Sequence, residues 1–95
     1  MRLKAGNEAV YRQKHDAIWP EMVSSLRAYG IRNYSIFVHG LDLFAYYETE
    51  DPDRVAEQVN DPVVKRWWKM MEEYMEYNED GTPWSATIEE VFHLD

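Results

Sequence analysis

The chain has no cysteine among its 95 residues. That absence removes disulfides, thiol nucleophiles and thiolate-bound zinc together. Basic residues are scarce as well: ten Lys and Arg stand against eighteen Asp and Glu, a formal charge of −8. Nucleic acid and anionic lipid both call for a basic face, so no nucleic acid and no membrane is the expectation for partners. No apolar run approaches the roughly 20 residues of a membrane span, and MRLKAGNEAV lacks the apolar stretch of a secretion signal. A soluble cytoplasmic protein follows as the default. The four glycines are scattered at turns, which leaves no loop to cradle a phosphate. There is no HExxH and no His-x-His, and Asp16 and Glu21 near His15 are not a ligand set by spacing, so no metal is expected. Ser24 and Ser25 lie in a helical stretch without the strained elbow that exposes a nucleophilic serine.

What the chain does have is rings. Aromatic residues make up 15%, four of them tryptophans, in a sequence that is also 29% charged. A small core gains most per residue from large side chains, which accounts for many of them. The length fits one domain over residues 1–95 with one core, and leaves little room for separate cofactor and substrate domains. Any small-molecule site must then come from core elements or from a symmetric second copy.

The hydrophobic period outlines the elements. From Asn7, a candidate N-cap, to Tyr29, the residues Val10, Tyr11, Ile18, Trp19, Met22, Val23 and Leu26 recur at helical spacing, and Gly30 is placed to end the helix. Pro20 cannot donate to the carbonyl of Asp16, so this helix is expected to kink or divide between Asp16 and Trp19. IRNYSIFV, residues 31–38, reads as a strand with Tyr34, Ile36 and Val38 on one face. HGLD is a turn and LFAYYET a second strand, so residues 31–49 predict an antiparallel hairpin. Asp51-Pro52 and Asp61-Pro62 each supply a cap and a proline at the first helical position. They predict a short helix near Asp53 to Val59 and a longer one from Val63 to about Tyr77. The latter carries Val64, Trp68, Met71 and Met75 on one face and Trp67, Met70 and Tyr74 beside it. The closing TIEEVFHLD suggests a last strand. If Met1 to Lys4 form a first strand, short or truncated, the order is βαββαβ: an α+β, ferredoxin-like fold with an antiparallel sheet.

Among the chemistry-bearing residues His15 stands apart, because Tyr11 and His15 are four apart and share the face that continues into the apolar stripe. Two readings are open from the residues alone: a core histidine satisfied by a carbonyl or by Tyr11, or a general acid or base at a pocket edge. His39, in the hairpin turn, and His93, near the chain end, carry less. Trp67 and Trp68, about 100° apart on a helix, cannot share a face. Either they pack in the core or one of them walls a ligand site, where indole stacks on an apolar sugar face. What survives is cofactor-free proton transfer on a small ligand, or ligand binding without catalysis.

Five stretches taken together, YRQKHDAIWPEM, GIRNYSIFV, LFAYYE, KRWWKMM and EVFHLD, resemble the L-rhamnose mutarotase family. The likeness runs from about Gly6 to Asp95, and departs from the family at Asn78-Glu79-Asp80, where Asn-Pro-Asp is common. The resemblance implies a homodimer of the dimeric α/β-barrel type that interconverts the α and β anomers of L-rhamnose, or of a related 6-deoxy sugar, without a cofactor. It further implies His15 as the proton donor and Tyr11, Tyr34, Trp67 and Trp68 as substrate-binding residues. The alternative is a non-catalytic small-ligand binding or regulatory module of the same dimeric fold. A cofactor-free oxygenase on a similar fold ranks below both.

Overall fold

A computed structural model describes residues Met1–Asp95. Two helices come first, α1 (Glu8–Asp16) and α2 (Pro20–Ala28), followed by strands β1 (Arg32–His39) and β2 (Asp42–Glu48). Then come α3 (Pro52–Ala56), a 3-10 turn over Glu57–Asn60 and α4 (Pro62–Met71).

The division of the first helical stretch falls where Pro20 requires it. α1 stops at Asp16, Trp19 is extended at φ −61° and ψ 133°, and Pro20 opens α2 from its first turn. A proline there sacrifices no helical donor. Asn7 acts differently from the expected cap: its side chain donates to the carbonyls of Lys4 and Ala5 at 3.0 and 3.3 Å, and only its backbone carbonyl serves the helix, accepting from Tyr11. The two Asp-Pro caps form as expected. Asp51 Oδ1 accepts from the Arg54 amide at 3.1 Å, and Asp61 Oδ1 accepts from the amides of Val63 and Val64 at 2.8 and 3.3 Å.

β1 and β2 form the predicted antiparallel hairpin, with Phe37 opposite Phe44, Val38 opposite Leu43 and His39 opposite Asp42. Its turn is Gly40-Leu41, with positive φ (61°) at Gly40 only, which matches a two-residue turn that takes glycine at its first central position.

α4 and the segment after it correct two expectations. The helix ends at Met71 rather than near Tyr77. Glu72 stands at its C-cap, and beyond it the chain pairs with the N-terminus. Lys4 donates to the carbonyl of Tyr74, and Glu76 to that of Arg2. On its other side the same N-terminal segment bonds to the hairpin, Leu3 donating to Leu41 and Leu43 to Met1. Isolated bridges at Arg2–Asp42 and Leu3–Met75 mark both contacts. Met1 to Lys4 therefore does lie extended between two neighbours. The predicted last strand in TIEEVFHLD does not form: residues 85–95 have no regular structure, and the extended partner of the N-terminus is the segment around Met75. Imperfect alternation in that closing stretch leaves no face to bury, which explains why the pattern misled.

The core gathers Leu3, Tyr11, Met22, Leu43, Val64, Trp67, Met71 and Met75. On α4 the buried stripe is Val64, Trp67 and Met71, spaced three and four apart, so Trp67 rather than Trp68 lies on it. Trp68 is half-buried beside the core.

Candidate active site

The site begins on α1. Tyr11 and His15 project from one face a turn apart, their ring centroids 4.2 Å apart and tilted by 31°. His15 Nδ1 sits 3.0 Å from the backbone carbonyl oxygen of Tyr11. A carbonyl only accepts, so Nδ1 carries the hydrogen and the neutral ring presents a bare Nε2. Burial lowers the His15 pKa from its ordinary value, opposed by the bond to the Tyr11 carbonyl and by the Asp16 charge. Neutral imidazole is thus the resting form near pH 7, and its imidazolium is a stronger acid than a free histidine's.

α4 supplies the floor. Trp67, 5% exposed, meets His15 edge to face at a centroid distance of 5.4 Å and an interplanar angle of 88°. Trp19 meets the same indole at 5.1 Å and 88°, so the residue just before Pro20 buttresses the ring under the histidine. Both separations lie in the favourable range for T-shaped pairs. The break at Pro20 fixes where Trp19 stands relative to His15.

β1 supplies the facing wall. Tyr34 places its ring 5.6 Å from that of Tyr47. The residue as a whole is 39% exposed, yet burial raises the pKa of its phenol, so the hydroxyl is the enclosed end. The Tyr11 phenol is pushed up strongly, chiefly by burial and then by Tyr34 and Tyr77. These hydroxyls stay protonated at neutral pH, able to donate and accept hydrogen bonds but not to act as free phenolate bases.

Tyr11, His15, Tyr34, Trp67 and Trp68 all line one cavity of about 1510 Å³. Ligand pockets usually fall within about 300–1,000 Å³, so a single small molecule occupies only part of it. The five residues singled out from the sequence are therefore brought together, though unequally: Trp67 is a core residue whose edge reaches the cavity, and Trp68 is the more accessible indole. His39, at the end of β1, and His93, whose Nε2 contacts Asp95 Oδ1 at 2.9 Å in the exposed terminal segment, do not line it. No group of three or more His, Asp or Glu side chains converges anywhere as a metal site would need.

Sequence reasoning missed Tyr77. Its hydroxyl donates to the Trp68 carbonyl at 2.5 Å, capping one of the last orphan carbonyls of α4, and the residue lines the cavity. Reading the helix through to residue 77 hid it. No local signal marks the stop, since Glu72 and Glu73 are good helix formers; it comes with the pairing of the following backbone to Arg2 and Lys4.

The family model for L-rhamnose mutarotase matches residues 1–94. A protein of that description from Opitutus terrae is 46% identical, the match covering 100% of this chain and 93% of the relative. One from Lactiplantibacillus plantarum is 44% identical over 90% of this chain and 84% of its own length. The crystal structure of an L-rhamnose mutarotase from Formosa agariphila superposes with a TM-score of 0.90 at 34% identity, covering 100% of this chain and 93% of that one.

Proposed function

The chain belongs to the L-rhamnose mutarotase family, and on that premise we propose how its own residues carry out the reaction. The protein is an isomerase that interconverts the α and β anomers of L-rhamnose. Anomer exchange requires a proton delivered to the ring oxygen as the anomeric hydroxyl loses one. The C1–O5 bond breaks as the C1 carbonyl forms. The open aldehyde turns about C1–C2, and the O5 hydroxyl adds to the other face, returning its proton as the carbonyl oxygen regains one.

His15, in its imidazolium form, is the donor to the ring oxygen, from Nε2. The observation that carries this reading is the bond from Nδ1 to the Tyr11 carbonyl: it fixes the ring and leaves Nε2 as the nitrogen that exchanges a proton with a ligand. Tyr11 and Tyr34 hold sugar hydroxyls as neutral phenols, a role their raised pKa values support. Trp68 packs against the apolar side of the sugar or its 6-deoxy methyl group, and the edge of Trp67 closes the floor. A water takes the anomeric proton, since neither phenol is ionised. Positioning and proton transfer together suffice because the uncatalysed reaction already runs in water.

Residues 1–95 form one domain in this reading, of the ferredoxin-like arrangement. The extended segment Met1 to Lys4, bridged to Asp42 on one side and Met75 on the other, supports it. The working form is a homodimer. Phe37 (60% exposed), Phe44 and Tyr46 stand uncovered on the outer face of the hairpin, β1 has no neighbour on its far edge, and the terminal residues Ile88, Val91, Phe92 and Leu94 are exposed. A second copy would cover surfaces of this kind. No helix is long and apolar enough to cross a membrane, and we place the protein in the cytoplasm.

Selective-inversion NMR on L-rhamnose, L-fucose and L-mannose at equilibrium tests the function. Faster exchange between the two anomeric protons, greatest for L-rhamnose, is expected. Protein that binds rhamnose without speeding exchange would contradict it.

A further inference from the structure

Strand β1 contains one residue too many. Arg32 pairs with Glu48 and Ser35 with Tyr46, so Asn33 and Tyr34 together face the single residue Tyr47. This is a β-bulge, and Asn33 is the only non-glycine residue in the chain with positive φ, 48°. Asparagine tolerates that region better than most residues.

The bulge changes which side chains point inward. Leu43 is buried, so Val38 and Ile36, paired with Leu43 and Ala45, lie on its inner face, and Phe37 and Ser35 lie outside. Tyr34, next to outward Ser35, is therefore inward. Arg32 pairs with outward Glu48, so Ile31 before it is inward as well, and it is only 4% exposed. In a regular strand, residues three apart point to opposite faces. Without the extra residue either Ile31 or Tyr34 would turn outward.

We propose that Asn33 is a positioning residue for mutarotation: its left-handed backbone, tied by the side chain to Glu48, turns Tyr34 into the sugar cavity while Ile31 stays anchored. Asn33 Nδ2 donates to Glu48 Oε1 at 2.9 Å, and Tyr46 Oη holds Glu48 Oε2 at 2.7 Å. The carboxylate thus fixes the bulge from the neighbouring strand. Asn33 itself touches no reacting atom, and the proposal rests on the reading of Tyr34 as a sugar contact.

The test is a double-variant cycle read by anomer-exchange kinetics and by the NMR cross-peak between the Tyr34 and Tyr47 rings. N33G, which keeps access to positive φ but loses the bond to Glu48, should lower kcat/KM by less than N33A does. N33A should lower kcat/KM about tenfold, weaken the ring cross-peak and add nothing further in a Y34F background. N33D tolerates the left-handed backbone but sets a second carboxylate against Glu48, so it should show a smaller loss of the same kind and serves if N33A does not fold. The positioning role is overturned if N33A or N33D matches the wild type, if the loss multiplies with that of Y34F, or if activity falls while the cross-peak persists. Y34F equal to the wild type would instead overturn the sugar-contact reading, and this proposal with it.

Discussion

The Nδ1 nitrogen of His15 donates a hydrogen bond to the carbonyl oxygen of Tyr11, one helical turn earlier, at 3.0 Å. The bond spends the backbone on side-chain orientation. The carbonyl that accepts Nδ1–H fixes the tautomer, and the nitrogen left to exchange a proton is therefore Nε2.

The pH dependence follows from this environment. Burial lowers the His15 pKa, so the unfolded chain's histidine titrates near 6.5 and the folded one below it. A donor that must be imidazolium is most abundant below its folded pKa, and its fraction falls about tenfold per pH unit above it. The alkaline limb of kcat/KM, where activity falls as pH rises, should therefore have an apparent pKa under 6.5. The same shift makes the fold bind fewer protons than the unfolded chain between the two pKa values. This contribution to stability is present above 6.5 and lost as pH falls through the folded value. A rate profile from pH 4.5 to 8.5 checks the first statement, and an apparent pKa at or above 6.5 would contradict it.

Trp67 and Trp68 should separate cleanly. Trp67 is buried against Trp19, His15 and the core, so W67A should destabilise by about 3–5 kcal/mol, the usual cost of removing a large core ring. W68A, at a half-buried position, should cost much less stability and act mainly on KM. Urea denaturation paired with exchange kinetics distinguishes the two variants. Equal losses of stability would argue against this division.

Tyr77 is expected to act through α4. Y77F removes the hydroxyl that satisfies the Trp68 carbonyl, a loss of about 1 kcal/mol, and should shift KM more than kcat because it loosens the segment carrying Trp68. Steady-state kinetics and a thermal melt together read both effects.

Much of this was legible in the sequence because the signals were local. Pro20 marks the division of the first helical stretch, the two Asp-Pro pairs set their helix starts, and the HGLD turn sets the hairpin. The Tyr11–His15 pair needed only helical periodicity. What escaped depended on contacts distant in sequence. Period alone cannot tell that α4 stops at Met71 because the following backbone bonds to Lys4 and Arg2. Nor can it choose Trp67 over Trp68 for the core, since both indoles suit either place. The bulge at Asn33 is invisible to alternation, because Tyr34, Ile36 and Val38 alternate correctly and only the pairing with β2 exposes the extra residue.

The dimer surface yields a prediction of its own. F44D, on the outer face of the hairpin and outside the cavity lining, places a charge on the proposed contact. It should shift the sedimenting species from dimer to monomer. A monomeric wild type, or a dimer unaffected by F44D, would remove that face as the interface.

The most direct test of the account is anomeric-proton exchange on L-rhamnose with wild-type protein and with H15A, at matched folding by circular dichroism. A positioned general acid contributes roughly 10²–10⁴-fold, so exchange catalysed by H15A should fall by at least about a hundredfold while sugar binding persists. Equal exchange rates in the two proteins would show that the proton does not come from His15.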